Sequence, residues 1–360
     1  MNDRLISRLQ ESIRKFPKAA LIRTPTPFYR LDALSRALNG PQIYIKREDM
    51  TGLAFGGNKS RKLEFIIQDA LRQNADVVIT WAGLQSNWCL QTAAAARKFG
   101  LSPILVLFKT YDLPEEYDGN ILLDFILDAE IRIEDAEKGK VVSYETAREI
   151  IEKIAAEQVR KGRRPYIAPI GGSMVGGSMT QPLGAVAYAD AYAEMFLQAE
   201  ALGFCPEYVL LASGSGGTQA GLIVGAQALG GKSKILGISV SDEKKSYGNL
   251  IAVIVEDTVS ALDLELDWKK EDAIRVYDEY LAEGYGVVNR DVSRALRLVA
   301  ETEGIFIDPV YTGKAMVALI DLIQKGDFKP SDRVVFMHTG GTAALFPNRG
   351  YIHSYLSEED

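Results

Sequence analysis

The chain of 360 residues is 47% hydrophobic and 25% charged, with a formal net charge of −7; that supplies apolar material for one large or two medium cores and excludes a disordered chain. The charges are dispersed and mildly acidic, which excludes a surface built to neutralise a nucleic-acid backbone, and the short basic cluster at residues 161–164 is a solvated helix end. Two cysteines, Cys89 and Cys205, sit in apolar contexts read as buried packing with no partner at metal-ligand spacing, so no metal site is expected and a reducing compartment fits.

Residues 1–17 alternate charged and apolar side chains at helical spacing, which predicts a leading helix and lacks the uninterrupted apolar core of a signal peptide. No run approaches the roughly 18 apolar residues that span a bilayer, and a cytoplasmic protein is expected. Strand signals follow at Ile43–Lys46, Val77–Trp81, Pro103–Phe108, Ile131–Ile133, Pro165–Ile170, Tyr208–Ala212, Lys234–Ser239 and Val334–His338. Between most of them, Arg61–Arg72, Leu90–Phe99, Tyr144–Lys161, Leu183–Leu202, Thr218–Leu229 and Lys314–Gln324 keep the 3.6-residue period of helices. Alternation of this kind predicts an α/β fold with parallel sheets flanked by helices, and at this length two domains. No linker or repeat is visible, so the chain is expected to cross between them: 1–56 and 174–360 in a larger domain, 57–173 in a smaller inserted one.

Four glycine-rich turns carry the functional signal: Gly56 Gly57 Asn58 Lys59, Gly171 Gly172 Ser173 with Gly176 Gly177, Ser213 to Thr218, and His338 Thr339 Gly340 Gly341. Three of them directly follow a predicted strand, where open α/β sheets place their ligands. In Ser213 Gly214 Ser215 Gly216 Gly217 Thr218, the glycines let backbone N–H groups converge at a helix N-terminus, a setting for a phosphate. The residues of a Walker loop and of a dinucleotide fingerprint are absent, so a single phosphate is the natural guest. Lys59, near the start of a helix and close to Arg61 and Lys62, is placed to have its ammonium destabilised, which favours the neutral amine that attacks an aldehyde. The turn Gln85 Ser86 Asn87 opens another helix and can hold a carboxylate or a phenolic oxygen, or act only as an N-cap.

With these residues in view, the chain resembles the family that contains D-cysteine desulfhydrase and 1-aminocyclopropane-1-carboxylate deaminase, within the tryptophan-synthase-β-like enzymes. The likeness runs through Thr24 to Pro27, Ile45 to Asp49, Gly56 to Glu64, Gln85 to Asn87, Ser213 to Gly221, Gly284 to Gly286, Asp308 to Tyr311 and His338 to Gly341, nearly the whole chain. It implies a two-domain fold-type-II enzyme with pyridoxal 5′-phosphate as cofactor, a small amino acid as substrate, and a homodimer. It makes Lys59 the Schiff-base lysine and places Lys62, Ser215, Gly216, Gly217 and Thr218 around the cofactor phosphate. Asn87 bonds the ring hydroxyl; Gln85, Ser86 and Asn87 face the substrate, with Ser86 at its carboxylate or reacting carbon. Tyr311 stacks near the ring and Tyr285 lines the same pocket, while Lys59, Tyr285 and Tyr311 are the candidates for handling protons. His338 is a weaker candidate and reads as a strand-end structural residue.

Two positions choose within the family. Thr312 and Thr339 stand where the deaminases have a glutamate and a leucine. A carboxylate beside the pyridine nitrogen makes a strong electron sink, whereas a hydroxyl supports a weaker one that suffices for a good leaving group such as sulfide. β-Elimination from D-cysteine to pyruvate, sulfide and ammonia is therefore expected; L-cysteate sulfo-lyase, the deaminase, a racemase and a non-catalytic cofactor-binding protein are the alternatives. Trp88, Leu90 and the long stretch Gly171–Gly184 depart from the family pattern near the substrate side.

Overall fold

The computed structural model describes residues 2–110, 117–138, 142–281 and 284–358. Strands β1 (Phe28–Arg30), β2 (Gln42–Arg47), β3 (Val77–Gly83), β4 (Ser102–Lys109), β5 (Glu130–Asp135), β6 (Pro165–Ile167), β7 (Tyr208–Ser213), β8 (Lys234–Ser239), β9 (Arg275–Tyr277) and β10 (Arg333–His338) form two sheets. The larger has the order β1-β2-β10-β7-β8-β9, the smaller β5-β4-β3-β6. All pairings are parallel except β1 with β2, and helices cover the sheets, as the alternating pattern predicts.

Every residue of β3 is buried, and its side chains serve two cores by the period of two. Val77, Ile79 and Trp81 pack with Ile104, Val106 and Ile151 on one face. Val78 faces the other way, into a cluster that runs through Leu63 and Ile66 to Tyr188, Leu211 and Val335 of the larger sheet. A third core, with Ile43, Ile45, Leu210 and Phe336, lies on the opposite face of the large sheet.

Beneath the surface, β2, the Asn58–Arg72 helix and the Leu183–Ala201 helix are joined by a buried ion cluster. Arg61 donates to both oxygens of Glu48 at 2.8 Å and to Glu194 at 3.1 Å. Tyr188 and Thr26 complete the ligands of Glu48 at 2.8 and 2.7 Å, and Lys46 donates to Glu194 at 2.5 Å. Arg61 thereby fixes the first turn of the helix that carries Lys59.

Several expectations change in detail. β1 and β9 are three-residue edge strands, too short to show a period. The strand expected over Pro165–Ile170 stops at Ile167, because Pro169 lacks an N–H and a 3₁₀ turn follows at Ile170–Gly172. Helices at Gly119–Ile126, Lys244–Ala261 and Arg290–Glu303 add to those read from periodicity. Cys89 is buried, but Cys205 is partly exposed, contrary to the expectation of buried packing for both. Among the described residues, no helix is long and apolar enough to cross a membrane.

Candidate active site

Parallel strands put the glycine turns side by side. β7 and β10 are neighbours, so the turns that leave their carboxyl ends meet at one edge of the large sheet. β3 delivers Ser86 and Asn87 to the same place from the small sheet. A cleft opens there, bounded by Lys59, Ser86, Asn87, Tyr285, Tyr311 and the turn Ser213–Gly216.

Lys59 is the second residue of its helix, entered through Gly57 at φ 132°. A Cβ at Gly57 would lie 2.5 Å from Gln91 Nε2, and one on Gly340 2.7 Å from Gly57 Cα, so two glycine turns touch backbone to backbone. The Lys59 amine donates to Asn58 Oδ1 at 2.7 Å, and Asn58 Nδ2 donates to Thr218 Oγ1 at 3.1 Å; a relay of two bonds connects the amine to the expected phosphate turn. The amine also sits 5.8 Å from the centre of the Tyr311 ring. Burial brings the Lys59 pKa down to about 8, against the opposing pull of Asp308. The amine stays mostly protonated near physiological pH, but its neutral fraction is far larger than that of an ordinary lysine.

Asn87 lines the cleft, and its Oδ1 accepts from Asn120 Nδ2 at 2.8 Å. That fixes the amide's orientation and leaves its nitrogen beside Gly341, where a Cβ would stand 2.9 Å from it. Ser86 caps the Asn87–Lys98 helix by accepting the N–H groups of Trp88 and Cys89, and it lines the cleft as well. Ser215, Gly216, Thr218 and Thr339 also line it. The hydroxyls of Tyr285 and Tyr311 share a hydrogen bond of 2.5 Å, with the rings edge to face. Burial pushes the Tyr285 phenol up to about 12, with the bond from Tyr311 acting in the other direction.

Three expected residues are placed elsewhere. Gln85 does not line the cleft: its Nε2 donates to the Asp118 carbonyl at 2.9 Å and its Oε1 accepts from Asn120 N at 2.7 Å, so the side chain secures the start of the Gly119–Ile126 helix. Lys62 is buried behind the wall, its amine 5.6 Å from the Tyr188 ring centre. Burial, then the charge of Lys59, holds the Lys62 pKa well below the usual lysine range. The amide of Gly217 donates to Ser173 Oγ at 3.2 Å. Thr312 is likewise drawn off: its hydroxyl donates to Asp308 Oδ1 at 2.6 Å and accepts from Asp308 N at 2.7 Å, leaving Thr339 as the member of that pair on the cleft. His338 is structural, its two ring nitrogens engaged by Phe306 O and Gly340 N. Trp88 forms part of the wall with its indole N–H on Thr80 Oγ1 at 2.6 Å.

The structure adds residues that the sequence reading passed over as site members. Asn58 and Asp308 lie inside the quoted motifs, so their signal was present. Thr110 had none: it follows β4 directly at the cleft, fully buried, with a hydroxyl that finds no hydrogen-bond partner among the described residues. An amine of lowered pKa, a glycine cradle at a helix N-terminus and a facing phenol pair fit an aldehyde cofactor that carries one phosphate.

The comparisons with known proteins agree. A family profile described as "Pyridoxal-phosphate dependent enzyme" matches residues 20–340. The chain is 40% identical over 339 residues to a D-cysteine desulfhydrase of Klebsiella pneumoniae, covering 93% of this chain and 97% of that protein. It is 37% identical over 352 residues to a Pyrococcus furiosus protein provisionally named 1-aminocyclopropane-1-carboxylate deaminase, covering 97% and 99%. A solved structure titled as an ACC deaminase homologue superposes with a TM-score of 0.86 at 36% identity, covering 97% of this chain and 99% of that one. The chain belongs to the pyridoxal-phosphate-dependent enzymes, as a fold-type-II lyase of the D-cysteine desulfhydrase and 1-aminocyclopropane-1-carboxylate deaminase family.

Proposed function

We propose that the chain eliminates the β-substituent of a small amino acid, foremost D-cysteine, which with one water gives pyruvate, hydrogen sulfide and ammonia. One observation carries this reading: among the described residues that line the cleft, Lys59 is the one charged side chain. Among the described residues no carboxylate borders the space: Asp308 lies behind it and spends its oxygens on the N–H groups of Val310, Tyr311 and Thr312 and on the Thr312 hydroxyl. That setting supports a moderate electron sink, adequate for a thiol leaving group and poor for an unactivated cyclopropane. Among the described residues that line the cleft no second cation is present to pair with a sulfonate, which disfavours cysteate.

Pyridoxal phosphate, when bound, supplies the sink for the electrons released at the α-carbon. The chain does the rest. Lys59 would hold the aldehyde end of the cofactor, and its Nζ would serve as the base that takes the substrate's α-proton. Asn87 orients the ring oxygen. Ser86 faces the substrate carboxylate at a helix N-terminus. Ser215, Gly216 and Thr218 would grip the phosphate, with Gly217 tied to Ser173 and Lys62 behind them as a reserve of charge that a bound anion would draw out. The Tyr285–Tyr311 pair holds a proton within one hydrogen bond and delivers it to the departing sulfur.

Residues 57–173 as an inserted domain, a cytoplasmic location and a homodimer belong to the same proposal. The dimer is supported by the exposed apolar residues Phe125 and Ile126 and by Tyr117, whose ring is tilted against Phe125; sedimentation measures it.

The test offers the purified enzyme D-cysteine, L-cysteine, L-cysteate and 1-aminocyclopropane-1-carboxylate, monitoring pyruvate, sulfide, sulfite and 2-oxobutanoate. Sulfide with pyruvate from D-cysteine is the expected result. 2-Oxobutanoate as the main product assigns the deaminase instead, sulfite the sulfo-lyase, α-proton exchange without pyruvate a racemase, and no turnover a binding protein. Lys59→Ala should lose the visible absorbance of lysine-bound cofactor; if it keeps it, the lysine assignment is wrong.

A further inference from the structure

The turn after β6 is pressed from three sides. A Cβ on Gly171 would lie 2.3 Å from Ser215 Oγ, one on Gly172 2.3 Å from Ile66 Cδ1, and one on Gly184 2.3 Å from the Gly171 carbonyl oxygen. The first contact is with the expected phosphate turn, the second with the helix that carries Lys59, and the third joins the turn to the Leu183–Ala201 helix. Gly171 and Gly172 also have φ of 66° and 56°, which side chains other than glycine rarely adopt.

Ser173 follows directly and is 1% exposed. Its hydroxyl donates to Ser215 Oγ at 2.8 Å and accepts the Gly217 N–H at 3.2 Å. A Cβ on Gly217 would stand 2.5 Å from that oxygen, so the contact itself requires glycine there. The Gly217–Ala228 helix begins at this residue, and its first N–H groups have no partner inside the helix. Ser173 engages one of them from outside the turn.

We propose that Ser173 is a positioning residue for the cofactor phosphate: acting through Ser215 and Gly217, it holds the glycine turn in its anion-binding shape before the anion arrives. A run of glycines has many accessible conformations, and fixing one in advance removes an entropic cost from binding. The inference rests on the reading that the phosphate sits at Ser215–Thr218. It places part of the affinity for the phosphate end of the cofactor on a residue remote in sequence from that turn. The aldehyde end, held by Lys59, is left independent of it.

The experiment compares apoprotein binding of pyridoxal phosphate and of pyridoxal, which has the aldehyde without the phosphate, in wild type, Ser173→Ala and Ser215→Ala. For Ser173→Ala the Kd of pyridoxal phosphate should rise roughly tenfold, the scale of one lost partner in a buried polar network, with the Kd of pyridoxal unchanged. An equal loss for both ligands, or no loss for either, overturns the positioning role. If Ser215→Ala discriminates between the ligands and Ser173→Ala does not, the phosphate site stands and the role of Ser173 falls. If neither variant discriminates, the phosphate-site reading itself fails. Should Ser173→Ala not fold, Ser173→Cys keeps a donor of similar size and is judged by the same ratio of the two ligands.

Discussion

Lys46 and Lys59 are both withdrawn from bulk water, with opposite consequences. The amine of Lys46, fully buried on β2, donates to Thr26 O, Glu194 Oε1 and Gln198 Oε1 at 2.9, 2.5 and 2.6 Å, which uses its three donors. Burial lowers its pKa, but Glu48 and Glu194 work against that. Lys59 has the amide oxygen of Asn58 as its neutral acceptor, and Asp308 as the charge opposing its desolvation. Burial alone does not prepare an amine for chemistry; burial with the carboxylates kept out of reach does.

Substitution separates the two roles most sharply. Lys59→Met should reduce D-cysteine turnover on the order of a thousandfold or more while leaving the apoprotein folded. Lys46→Met should do the converse, losing roughly 3 kcal/mol of stability because Glu194 is left with less compensation, with kcat of the folded fraction within about twofold. Steady-state kinetics and urea unfolding read both. Loss of catalysis in Lys46→Met at an unchanged urea midpoint would erase the distinction. Glu48→Gln breaks the same cluster at its centre, stripping Arg61 of its twin bonds; it should cost roughly 3–5 kcal/mol, seen as a lower midpoint in urea.

The pH dependence of the two amines sharpens the comparison further. Folding takes the Lys59 pKa from its ordinary 10.5 to about 8. Below 8 the amine is charged in both states and above 10.5 it is neutral in both; between them the unfolded chain holds more protons, so stability rises with pH across that window. Apoprotein Lys59→Met should thus be more stable than wild type at pH 7, and the gap should close between pH 8 and 10.5. A gap that stays constant with pH in thermal melts means that Lys59 is not desolvated. The rate at which the apoprotein captures pyridoxal phosphate should rise with pH and level off above about 8, tracking the neutral amine.

How much of this was legible follows from where each signal lives. Lys59, Asn87 and the turn Ser213–Thr218 are specified by residue types within short windows, because a glycine cradle and a helix N-terminus are local devices. The α/β order was legible from periodicity, except where strands were as short as β1 and β9. The motif from Ile45 to Asp49 marked the family, but its purpose emerges only when Arg61 and Glu194 fold against it. Gln85 sits between residues that face the cleft and turns to Asn120 instead, a choice made by the neighbouring helix. Thr312 stands where the resembled deaminases have a glutamate, which suggests a site hydroxyl, but the Asp308 turn claims it. Ser173 and Thr110 reach the site from segments distant in sequence, so no short window joins either to the turns it meets there.

Thr110 gives the finest test of the rule that compensation decides role. A buried hydroxyl without a partner costs about 1–3 kcal/mol relative to one that is satisfied. Thr110→Val keeps the shape and removes the hydroxyl, so the free enzyme should be equally stable or slightly more so. If the substrate completes that hydroxyl, the variant loses one hydrogen bond in the complex, and KM for D-cysteine should rise about fivefold with kcat little changed. Destabilisation of the free protein by more than about 1 kcal/mol would show instead that the hydroxyl has a protein partner, and would place Thr110 with Lys46 among the compensated groups. An unchanged KM at unchanged stability would make it a spectator on the wall.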